Sequence, residues 1–254
     1  MKTKALLRKL SKQFPKRLAE WYDHPGLQVG RLPEEVNKIL VCLDFDDEVY
    51  DTVVKEKPDL IITHHPFIFG KLKKVLESDP IKKALYEKMV EINIPIVSYH
   101  TNFDMGDGGM NFALTAALGL HDIRRLETAP MALGGKLHHE MEVHEFARYA
   151  KEKLGVSYGL LINEGKKYVS SVAIIGGGGW HEYINAMQEG YDIYISGDCP
   201  HHGRREIVLN HYNYLDLPHE IERIFIPTMT NILLNFDQTL NVVQVDHERL
   251  PEVI

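Results

Sequence analysis

Histidine pairs and carboxylates are the residues of this sequence that could do chemistry. His64 and His65 stand side by side in "DLIITHHPF", one residue after three apolar residues that predict a buried strand. Neighbouring side chains on a strand point to opposite faces, so two adjacent imidazoles can converge only where the strand has ended. Pro66 favours such an end, because it restricts His65 to an extended or turn conformation. The pair could serve one metal ion or two ions lying side by side.

Carboxylates that could complete a metal site occur at two other places. Asp104 ends the motif "HTNFD", which follows the apolar stretch "IPIV". His219 and Glu222 are three residues apart in "PHEIER", a spacing that places both on one face of a helix. Imidazoles and bridging carboxylates can hold two divalent ions roughly 3.5 Å apart. Each motif also has an ordinary structural interpretation, as a histidine turn, a capped glycine-rich turn or a solvated helix face.

The order of apolar stretches predicts the elements that must position these groups. Predicted helices cover 3–22, 47–57, 81–92, 108–120, 142–155, 180–190 and 202–210. Residues 24–30 predict a turn followed by a short strand, and further predicted strands cover 36–45, 58–66, 94–100, 168–179, 191–198 and 240–247. This alternation predicts an α/β fold with two lobes and mainly parallel sheets. The pattern restarts after "ETAPMALGGKL", so we expect a second α/β lobe, residues 125–213, inserted into a first lobe formed by 1–124 and 214–254.

Polar clusters directly follow the predicted strands. They are His64-His65, the "HTNFD" motif and "GDCPHH" at 197–202. In open α/β sheets, ligands bind beyond the carboxyl ends of the strands. The repeated coincidence of strand end and polar cluster therefore favours a binding site more strongly than any one cluster does.

Three common motifs do not fit the sequence. The glycines at 176–179 fail the strict dinucleotide-binding spacing at His181, and no G-K-[ST] is present. A tight strand-to-helix turn is the favoured interpretation, and an anion could still bind the helix N-terminus after Gly179. His219-Glu220 begins like a zinc-protease motif, but no second histidine follows at the required position.

Composition restricts the class of protein. The net charge is −7, which argues against sequence-independent nucleic-acid binding, although 14 histidines direct attention to metal. Cys42 and Cys199 are far apart and form no disulfide framework, which fits a reducing cytoplasm. The sequence has neither a long apolar span nor a secretory leader pattern. We therefore expect a cytoplasmic protein that does not enter membranes.

A series of motifs carries a family resemblance. In chain order they are "YDHPGLQVG", "LIITHHPFIF", "SYHTNFDMGDGGMN", "AIIGGGG", "DIYISGDCPHH" and the late "HEIE". Together they resemble the NGG-one-interacting-factor-three-like family of dinuclear metal-binding proteins, also known as the GTP cyclohydrolase I type 2 family. The resemblance runs from about residue 20 to the C-terminus. It implies two α/β lobes, a two-metal site in the cleft between them, and a homohexamer built from dimers.

The resemblance also implies roles for individual residues. The implied metal ligands are His64, His65, Asp104, His219 and Glu222. The implied catalytic candidates are His100, which is a ligand or lies beside the ligands, and His202. Candidate substrate contacts are Gly178, Gly179, Asp198 and Arg204. The family usually has D-x-G-H before the last histidine, whereas this sequence has Pro218 in place of that glycine.

The function expected from these features is that of a metal-dependent hydrolase acting on a small-molecule, nucleotide-like substrate such as GTP. Mixed nitrogen and oxygen ligands suit two ions of Zn, Mn, Fe, Co or Ni, which would activate a water. His100 or His202 would move the proton. The alternative is a non-catalytic metal-holding ring that regulates or scaffolds a protein or nucleic-acid partner. A third interpretation is an α/β protein whose histidines only form hydrogen bonds.

Overall fold

The structure, a computed structural model, describes residues 1–254. Its strands are β1 (Gly26–Val29), β2 (Lys38–Cys42), β3 (Leu60–Thr63), β4 (Ile96–Ser98), β5 (His121–Arg125), β6 (Leu133–Glu142), β7 (Leu160–Asn163), β8 (Tyr168–Ile174), β9 (Ile193–Ser196), β10 (Asn213–Asp216) and β11 (Asn241–Val245). Its α-helices are α1 (Thr3–Gln13), α2 (Asp47–Glu56), α3 (Leu72–Ser78), α4 (Pro80–Ile92), α5 (Thr101–Met105), α6 (Met110–Ala117), α7 (Val143–Lys153), α8 (Tyr183–Gln188), α9 (His201–Leu209) and α10 (Phe225–Phe236). Short 3-10 helices cover Lys16–Leu18, Trp180–Glu182 and His219–Ile224. None of the helices combines the length and apolarity that a membrane crossing requires.

The chain groups into two compact units. The first unit contains Met1–Gly109 and Phe225–Glu248, and the second contains Met110–Ile224 and Arg249–Ile254. The two units are sets of residues that make most of their contacts with one another. The lobe at 125–213, inserted into the first lobe, stays a prediction. Both units combine helices with a mixed sheet, and in the two sheets taken together five strand pairings are parallel and four are antiparallel. The predicted α/β class with mainly parallel sheets is therefore confirmed.

The sheet of the first unit has the strand order β1-β4-β3-β2-β11, and only β1 is antiparallel to its neighbour. Cys42 pairs with Thr63, and Thr63 pairs with Ser98, so the carboxyl ends of β2, β3 and β4 lie side by side. All four residues of β3 are buried, as expected for a parallel strand covered on both faces. The residues that follow these three strands therefore leave the sheet at one edge.

The predicted helix over 3–22 is wrong beyond Gln13. Pro15 has no backbone N–H, and its ring would clash with the preceding helical turn, so α1 ends before it. The chain continues into the 3-10 helix Lys16–Leu18, and Trp21 is 88% exposed instead of lying on a buried helix face.

The sheet of the second unit has the order β5-β6-β8-β9-β10-β7. β8, β9 and β10 are parallel neighbours, in which Ile174 pairs with Ile195 and Ser196 pairs with Asp216. The loops after these strands again leave the sheet at one edge. The sequence did not predict β5, β6, β7 or β10. β6 contains paired glycines and paired histidines, which have little preference for strands, so its pairing depends on the rest of the sheet.

Candidate metal centre

Three histidines converge in the first unit. His64 and His65 follow β3, and His100 follows β4. The nitrogens with which these imidazoles could bind a metal lie within 4.8 Å of one another. The strand ends at Thr63, whose hydroxyl donates a hydrogen bond to the carbonyl oxygen of His65 at 2.8 Å and so turns the chain. This turn lets two adjacent imidazoles face the same point, which a continuing strand would prevent.

Each of the three imidazoles turns its Nδ1 towards an oxygen. The Nδ1–oxygen distances are 2.9 Å from His64 to the Tyr99 carbonyl, 2.9 Å from His65 to Asp44 Oδ2, and 3.2 Å from His100 to Asp23 Oδ2. An imidazole whose Nδ1–H donates to such an oxygen presents its Nε2 lone pair to a metal ion. The hydrogen bonds of His64 and His65 therefore favour the metal-binding tautomer, whereas the His100–Asp23 approach is an ion-pair contact without hydrogen-bond geometry.

Asp104 brings a carboxylate to the same group. It lies in α5, the short helix that begins directly after His100, and it is buried. Its Oδ1 lies 3.6 Å from Nε2 of His64, which is fully buried. Burying a carboxylate is costly unless a positive charge or strong donors accompany it. Imidazole nitrogens with one carboxylate form a donor set that suits divalent transition metals, so these residues fit a metal ion.

Asp23 and Asp44 are candidate site residues to which the sequence analysis assigned no role. Asp23 is buried and accepts hydrogen bonds from both the backbone N–H and the hydroxyl of Thr101, at 3.1 and 2.5 Å. Burial opposes its charge, but the contact with His100 and the hydrogen bonds from Thr101 lower its pKa below the usual value. Asp23 lies in the motif "YDHPGLQVG", which contributed to the family resemblance and could have identified it. Asp44 follows β2 directly, and that position at the end of a strand could also have identified it.

His219 and Glu222 are the candidate ligands that lie in the second unit. Nε2 of His219 lies 3.0 Å from Glu222 Oε2, and its Nδ1 lies 2.6 Å from Asp198 Oδ2. The two residues lie in a 3-10 helix, where positions three apart eclipse one another. Burial opposes the charge of His219, but the carboxylates of Glu222 and Asp198 raise its pKa to about 9. A metal ion bound at Nε2 would have to displace that proton.

The glycine loop after β8 packs closely against this group. Gly177 has a φ of +65°, and a Cβ there would overlap the Glu222 carboxylate and lie 3.0 Å from His219 Cε1. A Cβ at Gly178 would lie 3.3 Å from Asp198 Oδ2. Gly179 donates its N–H to the Ser196 hydroxyl at 2.9 Å. The loop therefore needs glycine for close approach to the carboxylates and for its backbone conformation.

A cavity of about 330 Å³ opens beside His219. Of the predicted substrate contacts, Asp198 and Arg204 line it, whereas Gly178 and Gly179 do not. His202 is exposed in the first turn of α9 and meets the ring of Trp180 edge-on, with 5.4 Å between centroids. It does not line this cavity.

Known proteins resemble this chain over nearly its whole length. Residues 1–251 match the family model described as Duf34/NIF3 (NGG1p interacting factor 3). A "GTP cyclohydrolase 1 type 2 homolog" from Streptococcus pneumoniae is 29% identical over 218 residues, which cover 83% of this chain and 82% of that protein. A protein of the same name from Lactococcus lactis is 29% identical over 258 residues, covering 99% of this chain and 98% of that one.

Solved structures show the same fold. A Bacillus cereus protein related to NIF3 has a TM-score of 0.89 at 20% identity, covering 100% of this chain and 99% of its own. Reduced HcgD from Methanocaldococcus jannaschii has a TM-score of 0.82 at 23% identity, covering 97% of this chain and 98% of its own. At such identities the likeness concerns the fold alone.

Proposed function

Because the chain belongs to the Duf34/NIF3 (NGG1p interacting factor 3) family, we propose that it is a dinuclear metal-dependent hydrolase of a nucleotide-like substrate. The observation that carries the proposal is the convergence of three imidazoles whose Nδ1 atoms all face oxygen acceptors. Relatives named GTP cyclohydrolase 1 type 2 homolog support the reaction class and the choice of GTP as the first substrate to assay.

In this proposal the metal ligands are those of the family motifs. The proposed ligands are His64, His65 and Asp104 in the first unit and His219 and Glu222 in the second. The bound ions would supply Lewis acidity for activating a water and for polarising the substrate. Asp44 holds His65 in the required tautomer, and Asp198 does the same for His219.

His100 is the best-supported group for moving a proton. Its Nδ1 lies 3.2 Å from the buried carboxylate of Asp23, and the pKa of that carboxyl is lowered, so Asp23 stays charged. A charged carboxylate beside Nδ1 orients an imidazole for proton transfer at its other nitrogen. His100 can therefore accept a proton at Nε2 and return it. His202 is exposed, and its acid–base role remains the second choice.

The finer parts of the proposal concern substrate contacts and assembly. Arg204 and Asp198 line the cavity beside His219, which supports a role in holding the substrate. Gly178 and Gly179 would contribute backbone N–H groups. A homohexamer is proposed from the family resemblance, and light scattering after size-exclusion chromatography measures it directly.

The test compares metal content and GTP consumption. Protein purified without chelator is expected to hold two divalent ions per chain and to consume GTP. A His65→Ala/Asp104→Ala double variant should lose both properties. The matched control is His139→Ala/Asp51→Ala, which removes an exposed histidine and an exposed aspartate elsewhere. Unchanged GTP consumption in the first double variant would rule out this site as the catalyst, and full metal content without turnover of any nucleotide would favour a metal-holding regulatory protein.

A further inference from the structure

A second cavity, of about 470 Å³, lies in the second unit at the amino ends of β8 and β9. Ser170 and Ser171, near the start of β8, and Asp192, which directly precedes β9, form part of its lining. The glycine loop and Asp198 follow the opposite, carboxyl ends of these two parallel strands. None of the proposed metal ligands, catalytic residues or substrate contacts lines this amino-end cavity. It is therefore a separate candidate site.

Three cations from three segments of the chain surround the amino-end cavity. Arg124 belongs to β5, Lys136 to β6, and Lys166 to the loop before β8. Their side chains are 51%, 63% and 72% exposed, so their N–H groups can reach a ligand. Donors that approach from several directions suit a tetrahedral anion better than a flat one, because its oxygens point in several directions at once.

The carboxylate that holds Lys166 is buried and already fully hydrogen-bonded. Asp192, whose side chain is 4% exposed, accepts hydrogen bonds from Lys166 Nζ, from the backbone N–H and hydroxyl of Ser170, and from the backbone N–H of Ser171. These bonds use the roughly four lone-pair positions of an ionised carboxylate. Burial opposes the charge of Asp192, but the hydrogen bonds lower its pKa, so it stays ionised. Asp192 therefore anchors Lys166 and has no lone pair left for a ligand.

The guanidinium of Arg124 is fixed on two sides. Its Cζ lies 5.5 Å from the centroid of the Tyr191 ring, and its Nη1 lies 3.1 Å from Oε2 of Glu189, whose side chain is 14% exposed. A Cβ at Gly134 would overlap the Tyr191 ring, so a glycine is needed where this ring lies against β6. Because a guanidinium has five N–H donors, Arg124 keeps most of them for a ligand in the cavity.

The charges that a ligand can reach are mainly positive. Asp122 is the exposed carboxylate of the lining, and its Oδ2 lies 3.3 Å from Lys136 Nζ and 3.4 Å from His121 Nδ1. The other two carboxylates, Glu189 and Asp192, are largely shielded from solvent. Three accessible cations therefore face one accessible carboxylate. Such a lining attracts an anion that carries two or more charges and repels a cation.

We propose that the amino-end cavity binds a diphosphate group, with Arg124, Lys136 and Lys166 donating hydrogen bonds to its oxygens. A diphosphate presents several negative oxygens in different directions, which matches donors from β5, β6 and the loop before β8. Citrate carries a comparable charge on flat carboxylates, so it would satisfy fewer of these donors at once. The proposal does not depend on the metal centre or on the reaction proposed for it.

Calorimetric titration with pyrophosphate tests this site. Because pyrophosphate also binds metal ions, both the protein as purified and His65→Ala/Asp104→Ala are titrated. Both should bind pyrophosphate, and the double variant should bind citrate at least about tenfold more weakly than pyrophosphate. Pyrophosphate binding without ADP binding would identify free diphosphate as the ligand, whereas equal binding of the two would identify a diphosphate that carries an organic group. Either result supports the proposal.

Substitutions of the lysines locate the binding. In the His65→Ala/Asp104→Ala background, Lys136→Gln/Lys166→Gln should weaken pyrophosphate binding at least about tenfold, because two charge-assisted contacts are lost. Lys136→Arg/Lys166→Arg should stay within about fivefold of the unsubstituted background, since both cations bind phosphate. The matched control is Lys73→Gln/Lys74→Gln on exposed positions of α3, which changes the net charge equally and should alter the affinity by less than about twofold.

Four results would overturn the inference. They are absence of pyrophosphate binding in His65→Ala/Asp104→Ala, equal affinity for citrate and pyrophosphate, unchanged pyrophosphate binding after Lys136→Gln/Lys166→Gln, and an equal loss in the Lys73→Gln/Lys74→Gln control. Restored binding in the arginine variant excludes misfolding as the cause of the loss. Loss of metal with retained pyrophosphate binding would count against neither this site nor its chemistry, so failure of the metal hypothesis is distinguishable from failure of this one.

Discussion

Replacing Asp44 tests whether a carboxylate beyond the metal ligands sets the affinity of the centre. Asp44 Oδ2 lies 2.9 Å from His65 Nδ1. Without it the His65 ring can rotate or place its hydrogen on Nε2, where the metal would bind. Loss of such an orienting partner typically lowers metal affinity about 10- to 100-fold, or about 1.4 to 2.8 kcal/mol. The Asp44 side chain is 47% exposed, so solvent screening limits the cost to the metal-free protein to less than about 1 kcal/mol.

The assay is a competition titration of metal against a fluorescent chelator, paired with urea unfolding of the metal-free protein. Asp44→Ala should show the full loss of affinity, and Asp44→Asn a smaller one, because the amide oxygen still accepts the Nδ1 hydrogen without a charge. Asp51→Ala, on an exposed position of α2, is the matched control. If Asp44→Ala binds metal within about twofold of the unmodified protein while His65→Ala loses it, Asp44 does not orient His65 in the way argued here.

The remaining predictions concern the glycine loop, a buried acid and the metal itself. Gly177→Ala should lower metal content for two reasons. An alanine in the left-handed backbone conformation of this position costs about 1–2 kcal/mol of stability, and its Cβ would displace the Glu222 side chain. Gly155 has a similar φ of +70°, but a Cβ there would meet no atom within 4 Å. Gly155→Ala is therefore the control: it should lower the stability of the protein and leave its metal content unchanged. Burial opposes the charge of Asp192, but hydrogen bonds from Lys166 and Ser170 hold its pKa below 3.8. Its stabilisation is therefore present above about pH 4 and lost as the pH falls through the folded pKa. Urea unfolding should show Asp192→Asn to be less stable by about 2 kcal/mol at pH 7, with a smaller difference at pH 3, and a difference independent of pH would contradict this. Chelation should lower the melting temperature, and Zn²⁺ or Mn²⁺ at about 100 times its Kd should restore about 2.7 kcal/mol. A restoration of the same size in His65→Ala/Asp104→Ala would place the metal elsewhere.

Local patterns predicted the parts of the fold whose signals lie within a few residues. β3 is a short apolar stretch bounded by Pro58 and Pro66, and the structure contains it at Leu60–Thr63. The predicted helix over 3–22 failed because apolar spacing continued past Pro15, where the backbone cannot remain helical. β6 was not predicted because its pairing depends on both neighbouring strands.

The sequence by itself determined which residue types follow the strands, and it therefore singled out His64, His65, His100 and Asp104. The sequence also predicted that His219 and Glu222 lie together, because they are three residues apart in one short helix and their contact is local.

Only the tertiary structure decided which partners hold those residues in place. Asp23 reaches Thr101 across 78 positions of the chain, and Asp44 reaches His65 because β2 and β3 are neighbours in the sheet. The order of the strands in the sheet depends on packing between segments that are distant in the chain, so the local periodicity of the sequence does not predict it. Arg204 and Asp216 likewise come together because α9 follows β9 and β10 pairs with β9, so their cavity could be found only in the folded chain.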